Sequence, residues 1–198
     1  RQSRIFVVND LDRDRPDGVA AAMAGLISAA DGGALGLFTS IQRLRATWPA
    51  LAPRCAELDI PLYAQHVDRM NLQTLLQLFR EETRSVLLGT DAVRDGVDVP
   101  GNALQMMIYD RVPWPRPDML FKARAAWQGR TEWTDRVTRM KLRQAFGRLI
   151  RRSDDKGVFV MLDSSLPTRL TSAFPADVEV VRAGLSEVIS ESRKFLKS

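Results

Sequence analysis

Short, unbroken apolar runs alternate with amphipathic stretches along this chain, and that alternation constrains its fold more than any other feature. "SRIFVV", "ALGLFTS", "PLYAQH", "SVLLGT", "ALQMMIYD" and "GVFVMLD" read as strands. Between them lie stretches with helical spacing: "DGVAAAMAGLISAAD", "IQRLRATWPALAPRCAELD", "NLQTLLQLFREET", a long region from about Met119 to Arg152, and the closing "LSEVISESRKFLKS". A strand that is apolar on both faces must be covered on both faces, and a helix between consecutive strands supplies the crossover that a parallel pair needs. The pattern predicts βαβ units: an α/β fold with a mostly parallel sheet and helices on both faces. Pro49 and Pro53 are expected to break or kink the second helix, and Gly129 to interrupt the long one. "DAVRDGVDVPGN" reads as a loop. No repeat, linker or low-complexity tract divides the chain, so residues 1–198 read as one domain. In such sheets ligands bind beyond the carboxyl ends of the strands. Thr39–Ser40, the segment from Gly89, Tyr109–Arg111 and Leu162–Asp163 are the polar strand ends expected to line one crevice.

Composition narrows the chemistry. With 198 residues, 45% hydrophobic and 27% charged, the chain can bury a core of its own. Its one cysteine, Cys55, excludes an internal disulfide and any multi-cysteine zinc or iron–sulfur site within the chain, and reads as a buried, inert thiol. A lone histidine, His66, has no second histidine or paired nucleophile, so it is read as structural and no metal site is expected. No apolar run approaches the roughly 20 residues that span a bilayer, and no signal peptide is visible. The expectation is no membrane and a cytoplasmic location. The first residue is Arg1 and not Met, which suggests a fragment or a processed product.

The net charge of +5 suits a polyanionic partner, and its distribution is uneven. Residues 111–156 hold 13 Lys plus Arg against 5 Asp plus Glu, a local +8 that leaves the remainder net acidic. A nucleic-acid track near the end of the long helix is the reading this asymmetry favours.

That helix ends in "QAFGRLIRR", residues 144–152. On a 3.6-residue period Gln144, Arg148 and Arg151 share one face, while Leu142, Phe146 and Leu149 share the nearly opposite one. Gly147 costs about 1 kcal/mol of helix propensity against alanine, and sits where a side chain would hinder close approach. Planar guanidiniums present forks of donors suited to phosphate oxygens, and two on one face can clamp a triphosphate. The bland alternative is a surface helix whose arginines pair with Asp154, Asp155 or other acidic neighbours.

The full pattern Q-x-x-G-R-x-x-R resembles motif VI of superfamily 2 helicases. "QAFGRLIRRSDDKGVFVMLD" is similar to that segment in the DinG/XPD group, where a D-x-G turn and a hydrophobic strand ending in Asp follow the motif. "DGVDVPGNALQMMIYDRVPWPRPD" resembles the group's motif V, and "GGALGLFTS" its motif IV, a strand ending in Thr-Ser. The blocks stand in the family's order from about Gly32 to Asp163. The resemblance implies a RecA-like domain of the P-loop-NTPase type, the second motor domain of a DinG/XPD-like DNA helicase. Two departures stand out: Arg94 and Asp95 replace an aromatic or small residue and a Glu before the motif V glycine, and Ser164 and Ser165 replace arginines after Asp163.

No G-x-x-x-x-G-K-[ST] phosphate loop and no D-E-x-H box occur in the chain. In the family those parts, and the four-cysteine iron–sulfur cluster of many relatives, belong to the first motor domain. ATP and Mg²⁺ are held mainly there, and the second domain completes the site from across a cleft. On that resemblance Arg148 and Arg151 are arginine-finger candidates, with Gln144 contacting or positioning the γ-phosphate side and Gly147 admitting the nucleotide. Such arginines are worth about 10³–10⁵ in rate. Gly96 and Asp98 are expected at the cleft; Asp98 orders a motif VI arginine or the ribose, or else only caps a turn. Thr39 and Ser40 donate to DNA phosphates or cap a helix. Arg94 is a further phosphate-contact candidate. Trp114, between Pro113 and Pro115, stacks on a base or plugs a packing gap.

The implied partners are single-stranded DNA and the first RecA-like domain of the same full-length chain. The rival reading is a stand-alone, non-catalytic helicase-like module that holds nucleic acid or docks a partner. An unrelated Rossmann-like enzyme is disfavoured, because no G-x-G-x-x-G follows a strand.

Overall fold

The computed structural model describes residues 2–99, 103–116, 123, 126, 129–152 and 155–198. Among them the elements run β1 (Ser3–Val8), α1 (Pro16–Ala30), β2 (Ala34–Leu37), α2 (Ile41–Glu57), β3 (Leu62–Ala64), α3 (Leu72–Glu81), β4 (Val86–Gly89) and α4 (Asp91–Gly96). There follow β5 (Met106–Tyr109), α5 (Arg130–Leu149), β6 (Gly157–Met161), a 3-10 stretch (Thr168–Ala173), β7 (Val180–Ala183) and α6 (Leu185–Lys197). The strands form one sheet in the order β3-β4-β2-β5-β6-β1-β7. Every pairing among them is parallel. The expected α/β architecture is the one found.

Register explains why the strands are apolar at every position. Leu35 pairs with Leu87 and Met107, Met107 with Phe159, and Phe159 with Ile5, so one face of the sheet is a continuous apolar row. That face packs against α3, α4, α5 and the 3-10 stretch through Leu75, Val93, Leu142, Phe146 and Leu170. Side chains one residue along point the other way, and Phe6, Leu88, Ile108 and Val160 meet α1, α2 and α6. Cys55 is 1% exposed within this second layer, and burial pushes its thiol up to about 11. It is the inert thiol expected.

Three local expectations are corrected. Helix α2 runs unbroken through Pro49 and Pro53. Both prolines are exposed and four residues apart, so the carbonyls they leave unbonded face water while Leu44, Leu51 and Cys55 hold the opposite face to the sheet. The start of the expected loop is the short helix α4, anchored by buried Val93 and Arg94. The long helix stops at Leu149, short of Arg152. Its expected portion before Gly129 lies largely outside the described residues. Gly129 itself has a φ of 85° and precedes the first residue of α5, so it marks a boundary as expected. No helix among the described residues is long and apolar enough to cross a membrane.

Candidate functional site

Helix α5 buries Leu142, Ala145, Phe146 and Leu149 and leaves Gln144 and Gly147 exposed, as its periodicity requires. It ends beside the first residue of β6, where a Cβ on Gly157 would lie 2.6 Å from the Leu149 side chain. The last turn is stopped by the buried Asp155, whose carboxylate accepts from the backbone N–H of Arg151 at 2.7 Å and of Arg152 at 2.8 Å. Those bonds offer the backbone an alternative to the helical ladder. Ile150 is extended, with φ −120° and ψ 109°. Arg151 therefore leaves the helix, and the proposed helical face of Gln144, Arg148 and Arg151 holds only for the first two.

The three side chains nonetheless meet. Arg148 donates from Nη2 to the carbonyl of Asp95 at 3.1 Å, and Arg151 donates to the carbonyl of Val97 at 3.2 Å and forms an ion pair with Asp98. Asp95, Asp98, Gln144, Gly147, Arg148 and Arg151 line one open pocket of about 390 Å³. Gly96 is not among the lining residues, and a Cβ there would lie 3.0 Å from the Leu76 side chain. The Arg151 hydrogen bond and charge, with help from Arg80 and Arg148, hold the exposed Asp98 carboxyl below the usual aspartate value. Asp98 thus pairs with the arginine that follows the end of α5.

The pocket's donors fit a polyphosphate. Two guanidiniums and an amide converge, and an exposed ion pair such as Arg151–Asp98 is worth only about 0–1 kcal/mol, so a phosphate can displace it. The same set does not fit Mg²⁺. Its two carboxylates, Asp98 and Asp95, are each bonded to an arginine, and no group of three or more potential ligands for a metal ion occurs among the described residues.

The polar strand ends form a separate constellation, knitted to itself. Asp110, fully buried, accepts from the Thr39 backbone N–H at 3.1 Å and pairs with Arg43. Burial raises its carboxyl above the ordinary range, against the lowering pull of Arg43. Asp163 accepts from the Val112 N–H at 3.1 Å and the Ser165 hydroxyl at 2.6 Å, and pairs with Arg13. Arg13 also donates to the Ser165 hydroxyl at 2.6 Å, so a guanidinium from the β1–α1 loop stands beside the serines that follow Asp163. Three of the four expected strand ends are tied together by these internal bonds, while the fourth, the segment from Gly89, supplies Asp95 and Asp98 to the pocket on α5.

Ser40 is the N-cap of α2, its hydroxyl accepting from the Arg43 N–H at 3.2 Å, which is its bland reading. Arg116 donates to the Thr39 carbonyl at 3.3 Å, bringing the proline-rich segment to the end of β2. Trp114 is 37% exposed, two residues after buried Val112. Arg94 is corrected: its side chain is 6% exposed and held by Asp91 and Asp95, which removes it from a solvent-side phosphate. The His66 carbonyl accepts from Arg45 Nε at 3.1 Å and Nη2 at 2.9 Å, a structural role. Asp155, expected at most as a partner for arginine side chains, takes their backbone N–H groups instead, and Arg13 was not singled out, for no spacing links it to Asp163.

A family model described as the helicase C-terminal domain matches residues 23–180. The ATP-dependent helicase DinG of Mycobacterium tuberculosis is 37% identical over 176 residues, covering 83% of this chain and 26% of that protein. The chain thus spans about a quarter of the length of that relative. An XPD helicase structure aligns over 91% of this chain and 35% of its own with a TM-score of 0.59 and 16% identity. Saccharomyces cerevisiae Dbp5 bound to RNA and ADP BeF3 aligns over 98% of this chain and 46% of its own with a TM-score of 0.67 and 14% identity. At these identities the two structures share the fold, which is RecA-like.

Proposed function

This chain belongs to the helicase C-terminal domain family, and from that premise we propose that it is the second motor domain of an ATP-dependent DNA helicase of the DinG/XPD kind. In this reading the pocket on α5 faces ATP held by the first motor domain of the full-length protein, which supplies the phosphate loop and the Mg²⁺ ligands. The observation that carries the reading is the convergence of Gln144, Arg148 and Arg151 on one open pocket beside the motif V segment. Arg148 and Arg151 neutralise charge on the transferring γ-phosphate, and Gln144 orients its oxygens or the attacking water. Single-stranded DNA crosses the end of β2, where Thr39, Ser40 and the exposed Trp114 stand with Arg116. There backbone phosphates meet cations and a base stacks on the indole. Buried Arg94 takes no part in that contact.

The test is made in the full-length protein. Arg148→Ala or Arg151→Ala lowers the ATPase kcat by about 10²-fold or more, with the KM for ATP changed much less, because the interaction strengthens in the transition state. Arg→Lys rescues poorly, since an ammonium lacks the guanidinium fork. Arg152, exposed and outside the pocket lining, is the control, and Arg152→Ala keeps most of its turnover. Wild-type turnover in Arg148→Ala, or an Arg152→Ala protein as inactive as Arg148→Ala, would remove this reading.

A further inference from the structure

The arginine pocket has a support of its own. Helix α4 has six residues, too few to hold itself by hydrogen bonding alone, yet its carbonyl at Asp95 and the residues just after it receive both pocket arginines. Beneath it lies the buried guanidinium of Arg94. Its Nη1 donates to Asp91 at 3.0 Å, while Nε and Nη2 donate to Asp95 at 3.0 and 2.8 Å. One planar group therefore bridges the first and the penultimate residues of α4. The other oxygen of Asp91 receives Lys141 Nζ from α5 at 2.9 Å. The two helices are tied at Lys141–Asp91 and, two turns along α5, at Arg148–Asp95, and Arg94 connects both ties.

We propose that Arg94 is the positioning residue of the arginine pocket: by bridging Asp91 and Asp95 it fixes α4, and through the Asp95 carbonyl and the Val97–Asp98 segment it sets where Arg148 and Arg151 point. The inference rests on the reading of those arginines given above. Burying a guanidinium is costly unless it is fully paired, so the arrangement holds only with both carboxylates in place. Tyr109, 1% exposed, lies under the guanidinium. Burial opposes the charge on Arg94, and the Asp95 and Asp91 carboxylates outweigh it, leaving the group charged. A lysine cannot replace it, because one ammonium on a flexible stem does not span two carboxylates in a fixed plane.

The experiment compares ATPase kinetics of Arg94→Lys and Asp95→Asn in the full-length protein, in the wild-type background and in Arg148→Ala/Arg151→Ala. A small displacement of a catalytic group costs orders of magnitude, so Arg94→Lys should lower kcat by about 10-fold or more, with the KM for ATP moving less than about threefold. In the double-alanine background either change should alter kcat by less than about twofold, because residues that act as a unit are not additive. If Arg94→Lys does not fold, Asp95→Asn decides, since its side chain is 61% exposed and asparagine keeps an oxygen that accepts from the guanidinium. A lower melting temperature with unchanged kcat would mean a purely structural role and overturn the inference. So would an equal fall in kcat in both backgrounds. Should the double-alanine protein itself turn over like wild type, the proposed function falls and this inference with it. If only the Arg94 and Asp95 variants keep wild-type kcat, this inference alone is lost.

Discussion

Gly147 sits in the last turn of α5 with ordinary helical backbone and no atom within 4 Å of where a Cβ would be. Nothing inside the chain requires a glycine there, and it forfeits about 0.5–1 kcal/mol of helix stability against alanine. Its place in the wall of the pocket supplies a reason: a bare backbone lets a ligand approach. Gly147→Ala therefore has effects of opposite sign. Thermal unfolding of the isolated chain should move up by about 2–4 °C, the shift expected for roughly 1 kcal/mol at this size. The full-length protein should meanwhile bind ATP more weakly or hydrolyse it more slowly. A variant that is both more stable and fully active would show that the glycine reserves no space. The residue's polar neighbours were legible from the sequence because residue type and helical spacing alone mark Gln144 and Arg148. Arg151 was legible as an arginine of the motif and not as a geometry, for its direction is set by Asp155.

At the scale of elements, the end of α5 decides where Arg151 goes. The Asp155 carboxylate takes two backbone N–H groups, so removing it should free the chain after Leu149. Asp155→Ala is expected to cost about 1–2 kcal/mol, like the loss of a helix cap, and to lower the ATPase kcat of the full-length protein by displacing Arg151. Asp155→Asn keeps an acceptor oxygen and should retain most of both. Equal losses in the two variants, measured by thermal melts and steady-state kinetics, would assign the effect to charge and not to the turn. What was illegible here shares one cause. The six residues of α4, rich in Asp and Gly, have the composition of a loop and become helical because Val93 and Arg94 are buried beneath them. Strand β7 is four residues at the sheet edge, half-buried, with no apolar run to mark it. The prolines of α2 obey their usual cost only where the freed carbonyl is buried, and burial is a tertiary fact. The short, continuously apolar strands and the face of α5 were legible because their patterns are local.

Across the whole molecule the described cations of residues 111–156 are divided among several partners. Arg139 and Arg143 donate to carbonyls of the 3-10 stretch at 3.4 and 3.5 Å, Arg111 pairs with Asp14, and Arg148 and Arg151 turn to the pocket. Arg116 reaches the end of β2, leaving a small cationic surface beside Trp114. Single-stranded DNA should therefore bind the isolated chain weakly, through about two or three phosphates and one stacked base. With a slope near −0.7 per phosphate, log affinity against log salt should fall with a slope of about −2. Trp114→Ala should weaken binding by about 1–3 kcal/mol while leaving that slope unchanged, because stacking releases no counterions. The same isolated chain should hydrolyse no ATP above background, since the pocket offers cations to a γ-phosphate and the chain has no phosphate loop. Fluorescence anisotropy over a salt series and a phosphate-release assay measure the two properties on one preparation. DNA affinity indifferent to salt would refute the phosphate contacts. DNA-stimulated turnover by the chain alone would mean that the pocket on α5 is a complete active site, and the division of labour between two motor domains would fail.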